Sequence, residues 1–193
     1  MEESHIEFSS SLKKSVNNVR HLINNSILML RDLDAALSKH GFQPIYGNAL
    51  GSESSKSINQ SMNQFATFLP QYIARPYALK SDIKAGEVNK ILFCNTQFFY
   101  RDLEDFPPTL INSAIIFPEP VKNVKGYVQY WWLKSAVFES VKWENVKMEG
   151  EINNYIDEED FKTIFWCKDL ISISGQKELL QEAEQLVKVF SQN

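Results

Sequence analysis

Near its N-terminus the chain carries apolar residues every three or four positions, which is the period of one helix face. Serines at positions 9–11 offer an N-cap, and Gly41 offers a C-terminal cap. The pattern predicts an amphipathic helix over residues 12–40. Poor helix formers follow one another at residues 24–26, which allows a kink there or a break into two helices. The apolar positions are Leu12, Val16, Val19, Ile23, Ile27, Leu30, Leu33 and Leu37.

This helix would be about 40 Å long at 1.5 Å per residue, which is more than one rod needs to cover the core of a domain of this size. We expect most of its apolar face to pack on the protein's own sheet. The spacing is also close to the 3.5-residue repeat of a coiled coil. Pairing of the helix with a second copy of the chain therefore stays open as the alternative.

The middle of the chain consists of segments rich in β-branched and aromatic residues, separated by short polar turns. Such short connections join antiparallel strands, because a parallel crossover needs about a dozen residues or more. A second amphipathic pattern over residues 175–190, with Ser174 as N-cap, predicts a C-terminal helix. We therefore predict an α+β fold, a mostly antiparallel sheet of about five to six strands with both helices packed on one face. The candidate strands are residues 42–46, 71–79, 91–100, 110–117, 142–152 and 161–173.

The chain has 193 residues, of which 44% are hydrophobic, and this is enough to build one core. We expect a single domain over residues 1–193 with a strand-rich core over residues 71–173. Residues 47–63 are rich in Ser, Asn and Gln and are expected to form a flexible connector, with a lid over a binding site as the alternative. Residues 126–141 fit both strand and helix patterns, and we favour a helix for their second half.

The charge balance argues against nucleic acid as a partner, since 24 Asp and Glu outnumber 20 Lys and Arg and give a net charge of −4. All three histidines lie within the N-terminal segment, and neither cysteine has a neighbour at C-x-x-C spacing. We therefore expect no metal site. No glycine-rich phosphate loop occurs, and we expect no cofactor.

The compartment is predicted from cysteine usage and from the absence of a leader pattern. Cys94 and Cys167 lie in apolar stretches, where reduced thiols serve as small core residues. The first ten residues lack the basic and apolar segments of a signal peptide, and no stretch approaches the ~20 apolar residues of a membrane span. We expect a cytoplasmic protein without a membrane partner.

Arg75 stands in the middle of a predicted strand, on the same face as Ile73 and Tyr77. A charge there must reach solvent, pair with a carboxylate or face a ligand. Arg75, Tyr77 and Arg101 are therefore candidates for binding an anionic ligand under residues 47–63. This hypothesis would make the protein a small-molecule enzyme or sensor.

The densest aromatic patch of the sequence is formed by Tyr127, Tyr130, Trp131 and Trp132, with Lys134 beside them. Large amphipathic rings pack in cores and also anchor interfaces. Because the chain has few histidines and no catalytic motif, we favour a non-catalytic protein-binding module over an enzyme. Such a regulatory, adaptor or immunity-type module would act through this patch on another protein or on a second copy of itself.

Overall fold

A computed structural model describes residues 2–52, 70–100, 103–128 and 133–193, with side chains from residue 8 onward. The four α-helices are α1 (Glu2–Ser38), α2 (Lys80–Ala85), α3 (Val124–Tyr127) and α4 (Gln176–Gln192). A π-helix spans Lys134–Ser140, and short 3-10 helices span Trp143–Asn145 and Leu170–Ser172. The strands are β1 (Phe42–Pro44), β2 (Gly51–Ser52), β3 (Tyr72–Leu79), β4 (Val88–Gln97), β5 (Thr109–Val121), β6 (Asn153–Ile156) and β7 (Lys162–Asp169).

The strands form one antiparallel sheet in the order β1-β3-β4-β5-β7-β6, and β2 pairs with β3 next to β1. The long strands β4 and β5 lie at its centre. The predicted α+β fold with a mostly antiparallel sheet is confirmed. The sheet has seven strands in the described residues, because β2 and β6 were not among the candidate strands, whereas the candidate at residues 142–152 is absent.

The two long helices cover the same face of the sheet, as predicted. Leu33 and Leu37 of α1 and Leu186 of α4 join one buried cluster with Leu92 and Trp166 of the sheet. The other face carries a second buried cluster, which includes strand residues and side chains of α3 and the π-helix, and the partly buried Trp143 of the 3-10 helix packs against it. The sheet is therefore covered on both faces.

Helix α1 differs from its sequence prediction at its start and in its continuity. It begins at Glu2 rather than Leu12, and it continues through both the serine cluster and residues 24–26 without a break. Serines are tolerated because hydroxyls within the helix donate to carbonyls one turn back, Ser15 to Ser11 at 3.1 Å and Ser26 to Leu22 at 2.9 Å. The predicted N-cap is therefore wrong, and the helix shows neither the kink nor the break that residues 24–26 allowed.

The structure also differs from the sequence prediction at residues 142–152 and at the start of α4. Residues 142–152 form no strand, because Lys142, Glu149 and Gly150 adopt positive φ angles of 64°, 56° and 81° that interrupt an extended chain. The N-cap of α4 is Gly175, one residue after the predicted Ser174. A helix is found in the second half of residues 126–141, at Lys134–Ser140. Within the expected connector, Gly51–Ser52 form β2, and residues 53–63 lie outside the described residues.

Candidate functional site

A row of buried side chains crosses the helix-covered face of the sheet at one register level. Arg75 of β3 is opposite Cys94 of β4, which is opposite Asn112 of β5, which is opposite Trp166 of β7. All four residues are buried. We call these four residues the polar row. Each long helix brings one carboxylate to it, α1 at one end and α4 at the other.

The guanidinium of Arg75 is held by the carboxylate of Asp34 on α1. Its Nε and Nη2 donate to the two carboxylate oxygens at 2.6 Å each, and Nη1 donates to the carbonyl of Ala49 at 3.0 Å. Burial alone would lower the pKa of Arg75, but the hydrogen bonds and charge of Asp34 give a net rise. Arg75 therefore stays charged and links α1 to the sheet. Of the three possibilities that the sequence left open for this charge, the structure shows pairing with a carboxylate.

Anion binding by Arg75 and Tyr77 stays a prediction that this geometry does not favour, because the carboxylate of Asp34 already compensates the charge of Arg75. Tyr77 is fully buried beside them, and burial above all raises the pKa of its hydroxyl well above the usual value. Arg101, the third candidate, lies outside the described residues. So do most of the residues that were expected to cover the ligand.

At the other end of the polar row, α4 inserts the fully buried carboxylate of Glu182. Its Oε2 accepts hydrogen bonds from Trp166 Nε1 at 2.7 Å and Asn112 Nδ2 at 2.9 Å, while Oε1 lies 2.5 Å from Lys168 Nζ. The charge is tolerated because three donors surround it. Sequence reasoning missed both Glu182 and Asp34. The available signal was a carboxylate within the apolar face of each amphipathic helix.

The thiols offer little reactivity in the folded chain. Burial raises the pKa of Cys94 well above its usual value, and it raises the pKa of Cys167 from 9.0 to about 12. Neither thiol forms the nucleophilic thiolate near neutral pH. Within the described ranges, no group of three or more His, Cys, Asp or Glu side chains is placed to hold a metal ion.

The N-terminal half of α1 carries a stripe of exposed apolar residues. The exposed fractions of Phe8, Leu12 and Val16 are 69%, 55% and 52%, whereas the first fully buried residue along the described part of the helix is Ser26. Residues 8–21, which we call the α1 extension, thus project beyond the sheet. Their apolar residues lie on the same side of the helix as the residues that pack on the sheet further along α1.

Where the α1 extension ends, an apolar groove of about 730 Å³ begins. It lies between the middle of α1, the turn before β5, the 3-10 helix Leu170–Ser172 and the start of α4. On its rim Ile171 is 85% exposed. Its apolar lining includes Leu22, Met29, Pro108, Leu170 and Leu179. The groove therefore begins at Leu22, next to the end of the α1 extension.

The predicted aromatic patch is only partly described. Tyr127 is 42% exposed, and its ring is close to parallel with that of Phe161, at a centroid distance of 6.2 Å. Lys134 is partly exposed and lies 3.7 Å from the carboxylate of Glu139. Tyr130, Trp131 and Trp132 lie outside the described residues. Partner binding through this patch stays a prediction.

Comparisons with protein-family models, with curated proteins and with solved structures found no match to the chain. Among the helices of the described ranges, none is both long and apolar enough to cross a membrane.

Proposed function

We propose that the protein is a non-catalytic protein-binding module that associates with a second copy of itself through the α1 extension. The observation that carries this proposal is the continuity of one apolar stripe along α1. From Leu22 to Leu37 apolar residues of the helix pack on the protein's own core, and towards the N-terminus the stripe continues in phase with Leu12 and Val16 exposed. A continuous exposed stripe of this kind is typical of an interaction surface, whereas single exposed apolar residues are ordinary.

The spacing of the stripe fits antiparallel pairing of two identical helices. Leu12, Val16, Val19 and Ile23 are separated by alternating steps of four, three and four residues, as the core positions of a coiled coil are. An antiparallel register that places Leu12 against Ile23 of the second copy also places Val16 against its Val19. Ile23 meets Leu12 only with the part of its side chain that its own core leaves exposed. The two-fold axis then passes between Asn17 and Asn18, so every contact occurs twice.

The same register also brings residues of the second copy to the groove. The exposed Phe8 of the α1 extension comes level with Ile27 of the second copy, two residues before Met29, which lines the groove. Leu22, on the same flank of the helix, lines the groove as well. A second copy therefore covers both apolar surfaces at once.

The opposite flank of the stripe carries Lys13 and Arg20, which are both exposed. In this register Lys13 of one copy lies near Arg20 of the other, so like charges face each other across the edge of the interface. A pair of ~20-residue helices is also only about 30 Å long, which is at the low end for a specific interface. We therefore expect a reversible dimer with a Kd on the order of 10 µM.

The proposal places the protein in the cytoplasm, where thiols are kept reduced. The two free, buried cysteines support this placement, because neither takes part in a disulfide.

Sedimentation equilibrium of the full chain over a range of concentrations tests the proposal. We expect the wild type to follow a monomer–dimer equilibrium and Val16→Asp to dimerise at least a hundredfold more weakly, because it places a carboxylate in the seam next to its symmetry mate. Asn18→Asp adds the same charge on the solvent side of the helix and is expected to dimerise like the wild type. Both variants should keep the wild-type melting temperature, because both positions are exposed.

Two outcomes would contradict self-association through α1. One is a wild type that stays monomeric throughout the micromolar and millimolar range. The other is a dimer whose Kd is the same in Val16→Asp as in the wild type.

A further inference from the structure

On the sheet face away from α1 and α4, a cavity of about 450 Å³ opens beside β6 and β7. Its wall includes three aromatic rings, those of Tyr127, Tyr155 and Phe161, and two carboxylates, those of Asp157 and Glu159. The volume is within the range of small-ligand sites. Among the described residues that line this cavity, none is cationic, and none belongs to α1 or to its groove.

Two of the three rings are held in place by a fourth aromatic residue. The rings of Tyr127 and Phe161 are inclined by only 24°. Phe117 of β5 meets both of them edge to face, at centroid distances of 5.8 Å and 6.1 Å. These two rings are therefore preorganised, because they are fixed by packing against the strand behind them.

The carboxylates are positioned by the turn between β6 and β7. Asp157 Oδ1 accepts hydrogen bonds from the backbone N–H groups of Glu159 and Phe161, at 2.9 Å each. This turn places Glu159 and Phe161 together in the cavity wall. In the described part of the chain, neither Asp157 nor Glu159 forms an ion pair with a cation. The cavity thus combines aromatic rings with uncompensated negative charge.

The effect of this charge is evident at Tyr127. Burial raises the pKa of its hydroxyl, and the negative charges of Glu159 and Asp157 raise it further. Both carboxylates therefore act on the aromatic wall, which a bound cation would also contact.

We propose that this cavity binds a quaternary ammonium group. The face of an aromatic ring attracts a cation, and the N-methyl groups present an apolar surface that packs against such rings. A quaternary ammonium has no N–H to donate, so it needs nearby negative charge rather than aligned acceptors, and Asp157 and Glu159 supply that charge. The group can be part of a free small molecule or of a trimethylated lysine side chain, and the chemistry of recognition is the same.

An NMR titration of the isotope-labelled full chain with choline tests this site. We expect saturable shifts of the backbone amides of Gly126 and Thr163, which lie in the cavity wall. Dimethylbutanol, the neutral carbon isostere of choline, should bind at least tenfold more weakly because it lacks the charge. A short peptide with one trimethyllysine identifies the source of the group: tighter binding than choline indicates a protein side chain, and equal or weaker binding indicates a free molecule.

Single substitutions separate the contributions of ring and charge. Tyr155→Leu keeps apolar volume but removes a ring, and Glu159→Gln removes a charge, so we expect each to weaken choline binding about tenfold. Glu158→Gln is the matched control, because Glu158 is an exposed neighbour outside the cavity wall and its loss should leave binding unchanged. The proposal is overturned if choline gives no saturable shifts, if dimethylbutanol binds as tightly, or if Glu158→Gln weakens binding as much as Glu159→Gln.

Discussion

The substitution Glu182→Ala tests whether the buried carboxylate holds α4 on the sheet. It removes the acceptor for Trp166 Nε1 and for Asn112 Nδ2, and both donors are completely buried. Each buried donor that loses its acceptor costs about 1–3 kcal/mol. Lys168 is a quarter exposed and can turn its ammonium to water, so its lost ion pair adds little.

We therefore expect Glu182→Ala to lower the free energy of unfolding by about 3–5 kcal/mol, within the range for removing one partner of a buried charged network. For a chain of this size, such a loss lowers the melting temperature by roughly 6–20 °C. Urea unfolding followed by far-UV circular dichroism measures the free energy directly.

Two further variants of α4 serve as controls. Glu184→Ala removes an exposed carboxylate two residues away and should cost less than about 0.5 kcal/mol. Glu182→Gln keeps an oxygen that can accept from both Trp166 and Asn112, so its loss should be smaller than that of Glu182→Ala. If Glu182→Ala were as mild as Glu184→Ala, the assigned role of Glu182 would be wrong.

Four other predictions concern the Asp34–Arg75 pair, the two buried thiols and the dimer register. Asp34→Asn should lower the free energy of unfolding, measured in urea, by about 2–4 kcal/mol, because it leaves the buried guanidinium of Arg75 without its counter-charge. Asp32→Asn, at an exposed position, should leave that free energy almost unchanged. Equal losses in the two variants would refute the pairing. Cys94 and Cys167 should not react with a thiol reagent at pH 8 in the folded chain and should both react in urea, whereas rapid labelling of the native protein would refute their burial. In the folded chain the pKa of the Cys167 thiol is raised from 9.0 to about 12, so the stabilising contribution of the protonated thiol is complete below pH 9. Between pH 9 and 12 the free energy of unfolding should decrease by up to about 1.4 kcal/mol per pH unit on its account. A plot of that free energy against pH should therefore be steeper in this range for the wild type than for Cys167→Ala. Added salt should tighten the dimer, because it screens the repulsion between Lys13 and Arg20 across its edge; a Kd that rises with sodium chloride in sedimentation runs would contradict the register.

The fold class could be predicted because it depends on periodicity and on the order of elements. Helical spacing at both ends and β-rich segments between them are enough to indicate helices on one face of an antiparallel sheet. The face of Arg75 also followed from alternation with Ile73 and Tyr77, since neighbouring side chains in a strand point to opposite sides.

The contents of the polar row could not be predicted, because they depend on the register between strands. Alternation gives the face of Asn112 and Trp166 but not their position opposite each other beneath Glu182. The start of α1 was missed for a different reason. Serines are strong N-cap residues, yet they also occur within helices when their hydroxyls donate to the preceding turn, as Ser15 does.

Distances between spin labels in the dimer test the antiparallel pairing of α1 most directly. The exposed residues Ser10, Asn18 and Asn24 can each be replaced by a labelled cysteine, while Cys94 and Cys167 are buried and stay unlabelled. With 1.5 Å per residue, we predict axial separations between the two copies of about 22 Å for position 10, about 2 Å for position 18 and about 20 Å for position 24. A nearly constant distance at all three positions would indicate parallel helices, and the absence of any dipolar coupling would indicate a monomer; either result would contradict the account.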